Sequence, residues 1–240
     1  MDIKTILSSV KINNDIASMN IYGDIVSCEW DCWDADDVYP GFVSEFLENA
    51  KNKELHVHIN SGGGSAFAGV AIYNLLRARE GRTIVYIDAL AASAASVIAL
   101  AGDEIRMPVG SMLMVHEPWS FAAGNSTELR KEADNLDKVC KSMIDIYNNH
   151  LVKAEDTEKM TELVKAESWL SAEDCKELFK NIVVESEMKA CACIRGDSMM
   201  HYKLPEGLKI TDAENNIKHL EKSKAETEKM LMEIEIEEML

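Results

Sequence analysis

Ala91-Ala92-Ser93-Ala94-Ala95-Ser96 is a run of very small residues carrying two serines. It follows a β-branched strand pattern over Thr83 to Asp88 and opens a short helix of small residues, Ser93 to Ala101, which Gly102 closes. Side chains this small let a helix pack closely against its neighbours. Upstream, Leu55-His56-Val57-His58-Ile59 alternates as a strand does, and Ala66 to Ala78 has helical spacing. Further back, Ser18 to Tyr22 forms an opening strand that turns at Gly23-Asp24, and Val38 to Ala50 an amphipathic helix. Downstream, Glu104 to Pro108 and Ser111 to Val115 supply two more strands. Ser126 to Val152 is a long amphipathic helix whose opening, Ser126-Thr127-Glu128-Leu129, carries a cap and an early acid. Strands alternating with helices predict an α/β fold with a parallel sheet built from right-handed crossovers.

The chain has 240 residues, 47% of them apolar, enough for one substantial core with an appendage. We place the main domain at 1–210 and the appendage at 211–240. Asp212 to Leu240 holds nine acids against four lysines and no glycine, proline or aromatic residue. Ile217, Leu220, Leu231 and Ile234 follow a helical stripe that Lys224 and Thr227 interrupt, so a solvated helical arm, a coiled coil and partial disorder all fit. A net charge of −17 argues against nucleic acid and anionic membranes as partners, because both demand clustered lysine and arginine. No apolar run reaches membrane-spanning length, and Met1-Asp2-Ile3-Lys4 does not open a signal peptide; a cytoplasmic protein is expected. Six cysteines, at 28, 32, 140, 175, 191 and 193, lack a paired zinc-binding framework and are assigned no chemistry.

Three features carry chemistry. Asn60-Ser61-Gly62-Gly63-Gly64 follows a strand, and successive glycines let the backbone aim N–H groups at one point, as stabilising an oxyanion requires. A phosphate loop would need a Gly-Lys-Ser/Thr ending, which is missing. Ser93 stands where a strand becomes a helix, beside the first unpaired helix amides, and is the better nucleophile; Ser96 lies nearly a turn deeper, where its hydroxyl bonds an earlier carbonyl. His116 ends the strand Met112-Leu113-Met114-Val115 ahead of Glu117-Pro118, and its imidazole titrates near neutral pH as a general base must. His56 and His58 share one strand face without an evident third metal ligand, so both read as polar strand positions.

These blocks together resemble the Clp protease proteolytic-subunit family (ClpP), and in particular its phage-type branch of head maturation proteases. Asn60-Ser61-Gly62-Gly63-Gly64 with Ala68-Gly69-Val70-Ala71-Ile72-Tyr73 is similar to the family's Asn-Ser-Pro-Gly-Gly and Ala-Gly-x-x-Ile-Tyr signature, with Gly62 in the proline position. Leu90-Ala91-Ala92-Ser93 and Leu113-Met114-Val115-His116-Glu117-Pro118 are similar to its nucleophile and histidine blocks. The resemblance runs from about Ile21 to Val184.

It implies a ClpP/crotonase-like α/β spiral of β-β-α units, with the long helix projecting and a C-terminal helical arm. It implies Ser93 as nucleophile, His116 as base, and the backbone amides of Gly63 and Ala94 as oxyanion donors. It also places the third triad member at Glu167, before Trp169-Leu170-Ser171, where housekeeping subunits usually carry aspartate; no reading of the residues alone picks out Glu167. The implied activity is serine endopeptidase action on protein or peptide substrates without metal or organic cofactor. Capsid proteins are the implied substrate and a ring homo-oligomer the implied assembly. A proteolytic subunit fed by an ATP-driven Clp unfoldase and an inactive assembly scaffold are the alternatives.

Overall fold

The computed structural model of the protein describes residues 10–12 and 15–186. In chain order the elements are β1 (Val10–Ile12), β2 (Ile16–Ile21), α1 (Pro40–Asn49), β3 (Glu54–Ser61), α2 (Ala66–Ala78), β4 (Thr83–Ala92) and α3 (Ala94–Ala99). They continue with β5 (Glu104–Pro108), β6 (Met112–Val115), α4 (Ser126–Asn149), α5 (Thr157–Lys165), β7 (Ser168–Ser171), α6 (Ala172–Leu178) and β8 (Ile182–Glu185). The chain is thus an α/β protein, with one mixed sheet flanked by helices.

The sheet runs β1-β2-β3-β4-β5-β8, with β6 joined to β4 and β7 to β6. The β2-β3-β4-β5-β8 succession is parallel, as expected from the alternation of strands and helices. Two pairs depart from that expectation: β1 meets β2 antiparallel, and β7 meets β6 antiparallel. Neither departure was legible beforehand. β1 is three residues long, and Ser168–Ser171 is too short to show a period.

β4 organises the site. Its first half pairs with β5 through Ile84↔Glu104 to Tyr86↔Arg106, and its second half pairs with β6 through Leu90↔Met112 to Ala92↔Met114. Eight of its ten residues are buried, as a strand covered on both faces must be. The sheet therefore forks along β4, which runs to Ala92 rather than ending at Asp88. Parallel α/β sheets place their sites beyond the carboxyl ends of strands at such a change of direction.

Helix boundaries follow from local chemistry. α1 begins at Pro40, whose fixed φ and missing N–H suit a first helical position, so it starts two residues later than the spacing predicts. α2 is capped by Ser65, whose side chain accepts from the Ala68 amide. On α2, a Cβ at Gly69 would lie 2.9 Å from the Ala94 Cβ, so the glycine of the Ala68-Gly69 pair is what lets α2 touch α3. α4 is capped by Asn125, not by the Ser126-Thr127 pair. The Asn125 side chain accepts from the Thr127 and Glu128 amides, and Glu128 reaches back to the Asn125 N–H in a reciprocal box. Only Met143 and Tyr147 of α4 are buried, so its first four turns stand out from the body and its last two are anchored in it.

The core is continuous from the sheet to the helices. It includes Met19, Ile21, Val57, Ile59, Val85, Ile87, Ile72, Leu76, Ile98, Tyr147 and Phe179, all essentially without solvent contact. On the polar face of the sheet His56 meets Glu54 at 2.9 Å, while His58 meets Asp88 at 3.1 Å and stacks on Tyr86 with ring centroids 4.6 Å apart. Both strand histidines are thereby engaged within the sheet. Among the described residues no group of three or more His, Cys, Asp or Glu is arranged to hold a metal ion, and no helix is long and apolar enough to cross a membrane. Cys28, Cys32, Cys140 and Cys175 are free thiols. Cys191, Cys193, the domain boundary after residue 210 and the acidic arm over 211–240 lie outside the described residues.

Candidate active site

Ser93 sits between the end of β4 and the start of α3. Its φ of 54° and ψ of −120° are a glycine-like conformation for a residue that carries a Cβ. Its amide is held by the Met114 carbonyl at 2.9 Å, so the strand neighbouring β4 fixes the turn. His116 follows directly on that neighbouring strand, one residue past Val115. Its Nε2 lies 2.8 Å from Ser93 Oγ, and both side chains are buried. A hydroxyl and an imidazole at this separation can exchange a proton without further movement.

Glu167 reaches the site by register. β6 and β7 pair antiparallel from Met112↔Ser171 to Val115↔Ser168, so His116 and Glu167 each stand one residue beyond the last pair. Burial pushes the His116 imidazole below its ordinary pKa, and the Glu167 charge pulls it partly back up. Glu167 has a φ of 53°. Four described non-glycine residues have positive φ, and two of them are asparagines, which tolerate that region. The other two are Ser93 and Glu167, residue types that rarely adopt this region.

The glycine loop lies against the serine. A Cβ on Gly63, whose φ is 100°, would fall 2.6 Å from the Ala92 carbonyl oxygen and 2.8 Å from the Ser93 Cβ, so nothing larger than glycine fits. That Cβ would also lie 3.1 Å from the Ala94 nitrogen, which puts Gly63 and Ala94 side by side. The Gly63 N–H, however, donates to Ser61 Oγ at 3.1 Å, and the Ser61 hydroxyl in turn donates to the Gly23 carbonyl at 2.7 Å. The Gly63 amide is therefore committed within the loop. The next amide, that of Gly64, makes no hydrogen bond among the described residues, although Gly63 and Ser65 on either side are both tied to Ile25. The loop thus sets Gly63 against Ser93 with its own amide engaged, while the amide of the next residue, Gly64, is uncommitted.

Ser96 lies where its spacing predicts, with its hydroxyl donating to the Ser93 carbonyl at 2.6 Å. α3 spans Ala94–Ala99, shorter at both ends than Ser93 to Ala101. Sequence reasoning missed Tyr147, whose hydroxyl lies 2.8 Å from Ser96 Oγ. The one signal for it is helical spacing, four residues from Met143 on the buried side of α4.

The chain is similar to known proteins over most of the described residues. The family model for Clp protease matches residues 34–184, well over half of the chain. The ATP-dependent Clp protease proteolytic subunit of Borreliella afzelii is 29% identical over 144 residues, 58% of this chain and 72% of that protein. Proteins of the same name are 28% identical over 127 residues in Bacteroides thetaiotaomicron and 33% identical over 112 residues in Ligilactobacillus salivarius. The matches cover 57% and 56% of those two proteins, so the chain spans little more than half their length. With the family model extending from before α1 into β8, the chain belongs to the Clp protease family of serine-type peptidases.

Proposed function

We propose that the protein is a serine endopeptidase that cleaves peptide bonds through an acyl-enzyme. The observation that carries this reading is the 2.8 Å contact between His116 Nε2 and Ser93 Oγ at a strained strand-to-helix turn. Ser93 Oγ attacks the scissile carbonyl while His116 Nε2 takes its proton, and the oxyanion that forms accepts hydrogen bonds from the Ala94 amide and from the glycine loop. His116 then gives its proton to the leaving amine, which departs. Water attacks the ester carbonyl, losing a proton to His116, and collapse of the second tetrahedral intermediate returns that proton to Ser93 Oγ. Glu167 orients the imidazole and offsets the positive charge it acquires.

Substrate and assembly are proposed more finely: a ring homo-oligomer in the cytoplasm that matures phage or prophage head proteins. The resemblance of the sequence blocks, taken together, to the phage-type branch supports that reading. The name shared by the relatives, ATP-dependent Clp protease proteolytic subunit, supports a second one, in which a Clp unfoldase delivers the substrate. Labelling with a fluorophosphonate and mapping the adduct tests the chemistry, and an adduct on Ser93 is expected. Cleavage of a phage head protein without any unfoldase separates the two substrate readings; cleavage of folded proteins only with unfoldase and ATP overturns the first. No adduct and no cleavage from the assembled protein would leave an assembly scaffold.

The pH dependence follows from His116. The base must be neutral to accept the serine proton, and its pKa is held below the ordinary 6.5 by burial. The acid limb of kcat/KM for a short fluorogenic peptide is expected to have its midpoint below pH 6.5, so activity persists as pH falls through that value and is lost only lower. A midpoint above 6.5 would mean that the Glu167 charge outweighs burial.

A further inference from the structure

Ser96 and Tyr147 take no part in the steps above, yet they meet directly beneath them. Both are fully buried, and both are polar groups that the core must satisfy. Ser96 Oγ lies 2.6 Å from the Ser93 carbonyl oxygen and 2.8 Å from the Tyr147 hydroxyl, and the Ser96 N–H donates to the same carbonyl at 3.0 Å. Ser96 has a single hydroxyl proton. With that proton on the Ser93 carbonyl, Tyr147 is the donor in the other contact, and the chain runs Tyr147 O–H to Ser96 Oγ, then Ser96 O–H to Ser93 C=O.

The Ser93 carbonyl belongs to the same peptide group as the Ala94 N–H. That group is planar and trans, so its carbonyl and its N–H point to opposite sides. Whatever fixes the carbonyl fixes the direction of the amide. Two hydrogen bonds on the oxygen also draw electron density away from the nitrogen and make its proton a stronger donor, as in any hydrogen-bonded amide chain. A strained φ, ψ pair persists only where its surroundings over-determine it, and the Ser93 turn is held through its amide by Met114 and through its carbonyl by Ser96.

We infer that Tyr147 and Ser96 are positioning residues that aim and polarise the Ala94 N–H toward the oxyanion, so that the buried end of α4 is wired into transition-state stabilisation. This rests on Ser93 being the nucleophile and Ala94 an oxyanion donor. Neither residue touches the substrate. Their loss should act on the transition state and leave substrate binding and the His116 proton alone.

The test uses the full chain as Tyr147→Phe, Ser96→Ala and the double variant, each checked for fold by circular dichroism and for assembly by light scattering. Tyr147→Phe keeps the ring that packs against Phe179 at 6.4 Å between centroids and removes only the hydroxyl, so it decides the matter if Ser96→Ala fails to fold. Expected for Ser96→Ala is a fall of about tenfold in kcat on a fluorogenic peptide, and for Tyr147→Phe about threefold, each the size of one weakened hydrogen bond. KM should not change, and the acid limb of the pH profile should not move. The affinity of a peptide boronate, which bonds to Ser93 and places an oxygen where the oxyanion forms, should fall by the same factor as kcat. The double variant should match Ser96→Ala, because Tyr147 acts through Ser96. Wild-type kcat in both single variants, a change confined to KM, or a shifted acid limb would overturn the inference. A wild-type protein that hydrolyses the peptide but takes up fluorophosphonate elsewhere than Ser93 would overturn the underlying assignment instead, and the two failures are told apart by that labelling.

Discussion

Ser93→Ala is expected to abolish peptide hydrolysis while leaving the protein folded. Removing a nucleophile that acts as a unit with its base typically costs about 10⁴- to 10⁶-fold in kcat, because the remaining binding and oxyanion donors supply only residual catalysis. Alanine keeps the Cβ, so the turn at φ 54° retains its strain and stability should stay within about 1 kcal/mol of the parent. Ser93→Gly separates the two roles of this position. It is equally inactive, but glycine accepts φ 54° without a steric penalty, and strain of this kind amounts to about 1–3 kcal/mol. Part of that gain is offset by the greater freedom of glycine in the unfolded chain. Urea denaturation of the two variants should therefore rank Ser93→Gly above Ser93→Ala by roughly 1 kcal/mol. Residual hydrolysis in Ser93→Ala near the parent rate would remove Ser93 from the mechanism. Glycine less stable than alanine would mean that the turn is not strained as its dihedral angles imply.

Much of the scaffold was written in local pattern, and what was missed was written in pairing. The parallel strands β3, β4 and β5 and the helices α1, α2 and α4 declare themselves because apolar periodicity and caps act within a few residues. Their limits shift for identifiable reasons: Pro40 sets the start of α1, Asn125 rather than Ser126 caps α4, and β4 continues past Asp88 because β6 supplies partners for Leu90 to Ala92. In the antiparallel β6-β7 pair only β6 reads locally as a strand; Ser168–Ser171 shows no pattern, and nothing along the chain names it as the partner. Ser93 and His116 were each legible as singular residues at strand ends. Glu167 was not, being one of 42 acids, and only the resemblance to a family singled it out. Tyr147 illustrates the remaining limit: its spacing marks it as buried, but the Ser96 hydroxyl that it meets lies 51 residues away in the chain. The Gly63 amide shows the reverse case, where a glycine run promises donors and only side-chain geometry tells which of them is already spent on Ser61.

For Glu167→Gln the expected result is a loss of about 10³- to 10⁴-fold in kcat with the fold intact, the scale seen when the acid of such a triad becomes an amide. Glutamine has nearly the same size and can adopt the same backbone, so the hydrogen bond from the residue 167 amide to the Val164 carbonyl survives. What changes is charge and proton direction. With the carboxylate gone, nothing at 167 opposes the desolvation that already lowers the His116 pKa, and the imidazolium formed during serine attack goes uncompensated. The amide can also donate to Nδ1, which stabilises the tautomer with its proton on Nε2, the atom that must be free to accept from Ser93 Oγ. Two readouts follow: the residual activity should show an acid limb displaced to still lower pH, and Glu167→Asp, which keeps the charge on a shorter stem, should lose far less. A glutamine variant that turns over at the parent rate, or whose acid limb moves upward, would show that the β6-β7 register places Glu167 beside the base without making it part of the machinery.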